Sequence, residues 1–405
     1  MSVVGLEMET NQRLQSLRRA ADNGQRIVGC VYPAFPTELF LAHKMLPSLL
    51  WADSNVPSAF EASLQTFCCS FARNLFSQRA NNLLTPLAAL FFPGNRCDSL
   101  QNLGDIWRFR FPEDTVLRLT YPSSGKSEAA ITYLTEELRS LSRTIEELFG
   151  LPFSQKEFHR AVGLTAQFLS ATQFIAAARL LQPQVLPYTE FAEQFCRFLT
   201  TPDSESLLQL ENTASSIRQT LNKLQLVTST EALSYALLHQ EFGDIMIPPD
   251  TSYLRIAVIG GMIDPEAFAV LFNNAVSDNS INAEIVLDLF SFSFRTVFAQ
   301  PPRLQGNPFK AIAQSLLSHY TEPTQEGLPE RLGFLKNILP KLAIDGLIIC
   351  EQSFCDPDGF VAPAVASIVA KTGIPTTRLY LDAELSDRGR LESKIQSFLE
   401  ILKTS

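Results

Sequence analysis

The stretch Ala343-Ile-Asp-Gly-Leu-Ile-Ile-Cys-Glu-Gln-Ser-Phe-Cys-Asp-Pro357 runs an unbroken apolar segment, Gly346 to Cys350, into a polar loop that holds a second cysteine. A short β-branched run without polar alternation predicts a strand covered on both faces, as in a parallel sheet. Ligands of open α/β sheets bind beyond the carboxyl ends of the strands. Cys355 falls at such an end.

Working outward, Leu332 to Leu342 reads as the helix leading into this strand, and Pro363 to Thr372 as the helix after it, stopped at Gly373. Thr376 to Leu381 is a last strand, and Leu391 to Leu402 a closing helix with an apolar face. Upstream, Arg255 to Gly261 is a strand ending in a glycine pair, and Asp264 with Pro265 opens a helix. A strand from Ile281 to Leu289, a loop over Ala299 to Asn307 and a helix from Pro308 to Tyr320 follow. The N-terminal end has the same rhythm. A surface helix over Asn11 to Asn23 leads to a strand, Arg26 to Tyr32, and a helix from Thr37, its expected N-cap, to Met45. Phe60, Leu64, Phe67, Phe71 and Leu75 predict one amphipathic helix over Ala59 to Ala80, carrying Cys68 and Cys69. Leu83 to Phe92 suits a strand or a buried helix; a helix over Ser99 to Trp107 and a strand over Val116 to Thr120 follow. Between the two ends, glycine is rare from Glu128 to about Leu226 and apolar residues keep helical period, with helices over Ala129 to Leu148, Gln155 to Leu181 and Ser204 to Lys223. The expectation is an α/β chain: a parallel-sheet domain over residues 1–127 with Cys69 and Cys97, a helical section over 128–250, and a second parallel-sheet domain over 251–405 with Cys355.

At 405 residues the chain exceeds one small core. With 46% hydrophobic and 19% charged residues it is globular, and a net charge of -9 argues against nucleic acid or an anionic membrane surface as the main partner. Met1 to Thr10 lacks the pattern of a secretory signal, and no window approaches the roughly 18 uninterrupted apolar residues of a membrane span. A cytoplasmic protein is expected, so its seven cysteines read as buried thiols, redox groups or metal ligands.

Cys30 and Cys350 lie in apolar strands and Cys196 in an apolar helix, where a thiol behaves as a small hydrophobe. Cys69, Cys97 and Cys355 sit at polar or turn-like positions. Taken singly, each is better read as core filling or chance, and no CxxC pair strengthens a metal reading. Convergence would change that: three thiolates hold three irons of a [4Fe-4S] cube and leave the fourth open, whereas four close it for electron transfer. Glycine motifs are weaker. Val258-Ile-Gly-Gly-Met-Ile-Asp264 lacks GxGxxG, and Tyr121-Pro-Ser-Ser-Gly-Lys-Ser127 lacks the first glycine of a phosphate loop. His43, His159, His239 and His319 show no paired spacing.

Phe354-Cys-Asp-Pro357 after Ile344-Asp-Gly-Leu-Ile348, followed by Gly373-Ile-Pro375 and the terminal Phe398-Leu-Glu400, resembles the C-terminal signature of the 2-hydroxyacyl-CoA dehydratase and benzoyl-CoA reductase family. Pro36-Thr-Glu-Leu39 with Leu46-Pro47 resembles its Pro-x-Glu-Leu segment. Cys69-Ser-Phe-Ala-Arg73 and Arg96-Cys-Asp-Ser-Leu100 resemble its upstream cysteine stations; register favours Cys69 over Cys68. The resemblance, that of a D-component-like subunit, implies two Rossmann-like domains and one [4Fe-4S] cluster between them on Cys69, Cys97 and Cys355. It also implies a dimer, commonly with a paralogous subunit, and an ATP-dependent iron-sulfur activator. The implied chemistry is dehydration or reduction of a CoA thioester through a ketyl radical formed by low-potential one-electron transfer. Two stretches depart from the family. Tyr32-Pro-Ala-Phe-Pro36 offers no hydroxyl or carboxamide after the tyrosine, and Asp288-Leu-Phe-Ser-Phe-Ser-Phe-Arg295 is less polar than expected and has no cysteine. A homodimeric double-cubane-type reductase of small molecules and a cluster-free partner subunit stand as the alternatives.

Overall fold

The computed structural model describes residues 4–123, 125, 127–249, 252–277 and 281–404. Among the described residues, eight strands form two parallel sheets. The first contains β1 (Arg26–Cys30), β2 (Met45–Leu49), β3 (Ala89–Gly94) and β4 (Val116–Thr120) in the order β2-β1-β3-β4. The second contains β5 (Leu254–Gly260), β6 (Ala283–Phe290), β7 (Gly346–Gln352) and β8 (Thr376–Leu381) in the equivalent order β6-β5-β7-β8. Val28 pairs with Ala89 in the first sheet and Ile256 with Gly346 in the second. Each sheet therefore reverses its winding between its first and third strands, which is where open α/β sheets bind ligands. The expected α/β class with two parallel sheets is what the chain adopts.

Helices α1 (Val4–Asp22), α2 (Thr37–Ala42), α3 (Ser70–Ala80) and α4 (Asp98–Arg110) accompany the first sheet. Then come α5 (Glu128–Phe149), α6 (Gln155–Leu181), α7 (Tyr188–Thr200), α8 (Ser204–Lys223) and α9 (Val227–His239). Around the second sheet lie α10 (Pro265–Ser277), α11 (Phe294–Val297), α12 (Pro308–Ser318), α13 (Leu328–Lys341), α14 (Asp356–Ala370) and α15 (Arg388–Thr404). Side chains start the middle helices: Ser127 and Ser154 accept from Ala130 and Glu157 N–H, and Asp203 with Ser206 forms a capping box. α6 is long and apolar enough to cross a bilayer, yet most of its apolar length is buried against α2, α8 and α9.

Four expectations are corrected. Met45–Leu49 is a strand, not the end of a helix; Pro47 is tolerated because β2 lies at the sheet edge. Pro36, not Thr37, is the cap of α2. The helix expected from Ala59 starts only at Ser70, because the apolar spacing before it is not a buried face: Phe67 is 65% exposed. α14 begins at Asp356, seven residues before Pro363, with Pro357 in its first turn where a missing N–H costs little.

The halves are joined close to the cysteines. Ser70 N–H donates to Ser353 O at 3.2 Å, and Ala383 N–H to Ser70 Oγ at 2.9 Å. Asn74 Nδ2 donates to Glu384 at 2.9 Å, while Phe292 meets Trp51 and Phe71. The start of α3 is thus anchored to the loops that follow β7 and β8.

Candidate metal centre

Cys69, Cys97 and Cys355 occupy the same local position: each is the N-cap of a helix, of α3, α4 and α14 respectively. Cys97 follows the last residue of β3 by three, as Cys355 follows that of β7. Each sulfur stands over the first turn of its own helix, within reach of the backbone N–H of Ala72, Leu100 and Asp358 respectively. A helix N-terminus favours an anion there, and a thiolate is the form that binds metal. The three cysteines share one cleft of about 1020 Å³ with Cys68, Tyr32, Arg96 and Glu322. Here the two sheets' switch points face one another.

Without metal the cysteines differ in ionisation. Burial pushes the Cys97 thiol up to about 11, opposed by hydrogen bonds from the first turn of α4. Burial, then the nearby Asp358 carboxylate, pushes Cys355 up. Cys69 is raised by its hydrogen bond to Cys68 and then by burial, and the same contact lowers Cys68 to about 7, helped by Ser99 and Arg73. A metal must displace the protons of the raised thiols, so its affinity rises with pH. Soft sulfur ligands at three helix N-termini fit an iron-sulfur group better than a hard oxygen-seeking cation.

Ionisable residues without a sequence pattern surround the cleft. Burial raises the Glu322 carboxyl to about 8 and Asp358 to about 6. Arg295, buried and repelled by Arg96, is lowered to about 9, and its Nε lies 4.0 Å from Glu322. These side chains escaped sequence reading because each is a lone charge; only the fold gathers them.

The competing motifs find structural roles. A Cβ on Gly260 would stand 2.9 Å from Cys350 O, and one on Gly261 2.8 Å from the Asp358 carboxylate, so the glycine pair serves close packing at the sheet end. In the stretch that partly matched a phosphate loop, Ser124 and Lys126 lie outside the described residues, while Tyr121 donates to Ala34 O and Ser127 caps α5. His43 is buried between Leu151 O and Ser142 Oγ, and burial drives His319 down to about 3. Cys196, Asp264 and Glu266 bring ligand-type atoms within 4.8 Å of one another. Arg13 already supplies the positive charge there, 2.8 Å from Asp264 and 2.9 Å from Glu266.

Two like-wound parallel sheets with a thiol-lined cleft drawn from both halves define an α/β protein, and that cleft is its candidate site. The chain belongs to the 2-hydroxyglutaryl-CoA dehydratase, D-component family, whose profile matches residues 30–402. It is 19% identical to the (R)-phenyllactyl-CoA dehydratase beta subunit of Clostridium sporogenes, covering 97% of this chain and 96% of that one. It is 20% identical to the lactoyl-CoA dehydratase subunit beta of Anaerotignum propionicum, over 94% of this chain and 93% of the other. Similarity to a benzoyl-CoA reductase subunit of Thauera aromatica, also 20%, covers 42% of this chain and 44% of that one. The family resemblance is thereby confirmed.

Proposed function

We propose that this chain is the [4Fe-4S]-bearing subunit of an acyl-CoA dehydratase or reductase, with Cys69, Cys97 and Cys355 as cluster ligands. The observation that carries the proposal is the convergence of three N-cap thiols on one cleft in a member of this family. When bound, such a cluster supplies low-potential single electrons, here for ketyl-radical chemistry on a CoA thioester. The chain's own residues hold and shape the site. The N-termini of α3, α4 and α14 favour thiolate over thiol, and the Ser70 contacts hold the α3 station against the second half. Glu322 keeps a proton at neutral pH beside Arg295, so the cleft retains an acid where a free carboxyl would be ionised.

The names of the relatives as beta subunits support a paralogous partner, and the proposal includes an ATP-dependent iron-sulfur activator. The division into α/β units over 1–127 and 251–405, with the helical section 128–250 between them, is proposed on the same footing. The test is activity on a panel of acyl-CoA thioesters under strict anaerobiosis, with candidate partner and activator present. Turnover that is lost in Cys97→Ala supports the reading. Reduction of small molecules by the chain alone, without response to any CoA thioester, would favour a homodimeric double-cubane-type reductase.

A further inference from the structure

The cleft contains one thiol more than the three ligands just assigned. Cys68 lines it together with Cys69, Cys97 and Cys355. Its N–H donates to Gln65 O at 3.0 Å, closing a turn immediately before α3. The neighbouring Phe67 is 65% exposed and Cys68 half-buried, and both line the cleft. Its thiol has the Cys69 thiol and the Ser99 side chain as hydrogen-bond partners, and Ser99 belongs to the first turn of α4, two residues past Cys97. Cys68 therefore lies between two of the assigned ligand stations.

The surroundings differ from those of a packing thiol. Cys30, Cys196 and Cys350 are each no more than 1% exposed inside strands or a helix, where a thiol is a small hydrophobe. Cys68 has instead a hydroxyl, a second thiol and the Arg73 guanidinium as neighbours. Arg73 stands over the rings of Phe60 and Phe354, which fix it at the same end of the cleft. A cation held there offsets the additional negative charge that a fourth thiolate brings.

We infer that Cys68 supplies the fourth thiolate to the cluster, so that every iron is bound by this chain and none is open to substrate. This rests on the cluster reading proposed above. It makes the chain an electron relay and leaves thioester binding to an iron elsewhere in the assembly. It also agrees with the apolar Tyr32-Pro-Ala-Phe-Pro36 turn, which offers substrate few polar side chains.

The test uses the full chain, reconstituted anaerobically as wild type, Cys68→Ala, Cys68→Ser and Cys69→Ala. Iron and sulfide are counted, and electron paramagnetic resonance of the reduced cluster is recorded with and without cyanide, a small exogenous iron ligand. The wild-type spectrum is expected to be unmoved by cyanide, that of Cys68→Ala to shift with it, and that of Cys68→Ser to have altered g values before any addition. Circular dichroism on each variant establishes that the fold is retained, and the near-isosteric serine variant serves if alanine does not fold. A wild-type spectrum that shifts with cyanide would overturn the inference. So would serine and alanine spectra identical to wild type, or loss of all iron from Cys68→Ala while Cys69→Ala keeps its cluster. Wild-type protein that takes up no iron or sulfide defeats the cluster reading itself, a different and separately visible result.

Discussion

The two sheets have the same strand order, and each places a cysteine three residues past its third strand, Cys97 after β3 and Cys355 after β7. They differ in what surrounds that cysteine. The first half adds the Cys68 and Cys69 thiols ahead of α3 and the Arg96 guanidinium; the second adds the buried carboxyls Asp358 and Glu322. A repeated topology thus repeats one station and diversifies the rest. The first half gathers thiols and the second buried carboxyls at the same cleft.

The comparison can be broken most sharply at the shared station. Cys97→Ala and Cys355→Ala should each abolish stable cluster uptake, read as iron per chain after gel filtration; Cys350→Ala, in the strand below, should keep its iron. If only one half mattered, one of the two alanine variants would retain a full cluster.

Next in size is the ion cluster joining α1 to α10. Arg13→Ala leaves Asp264 and Glu266 buried without their cation and is expected to cost about 3–5 kcal/mol in denaturant unfolding, with metal content unchanged in the protein that remains folded. The buried carboxyls of the second half give a pH signature. Glu322 has a folded pKa of about 8 against an ordinary 4.5, so the folded state binds the extra proton between those values. Its contribution is intact below about pH 4.5 and is lost as pH rises toward 8. Glu322→Gln should therefore gain on wild type over that interval, by on the order of 2–4 kcal/mol at pH 8, measured by urea unfolding at several pH values. A constant difference between the two proteins would place the proton elsewhere. The smallest effect is expected at the join: Ser70→Ala removes the acceptor for Ala383 N–H and should cost about 1–2 kcal/mol.

Much of this was legible in the chain. The continuous apolar runs at Arg26 and Gly346 marked buried parallel strands, and the boundaries of α6, α8 and β8 match those expected from helical period and β-branched content. What failed did so for local reasons. Pro47 hid an edge strand, and the chance spacing of Phe60, Leu64 and Phe67 imitated a helical face where the chain instead turns. That misreading placed Cys68 and Cys69 inside a helix, whereas the structure puts them just before one, where a thiol can reach across a cleft. Cys97 and Cys355 were easier, since a strand running into a polar turn already says where a sheet presents its ligands. Glu322, Arg295 and Asp358 had no comparable signal, because their proximity is made by residues far apart in the chain.

The central claim is that both halves together hold one iron-sulfur cluster. Its most direct test is iron and acid-labile sulfide analysis of the full chain after anaerobic reconstitution, alongside the Cys69→Ala/Cys97→Ala/Cys355→Ala triple variant. The account predicts about four irons and four sulfides per wild-type chain and none retained by the folded triple variant. A wild-type chain that stays free of iron, or a triple variant that keeps the same complement, would contradict it.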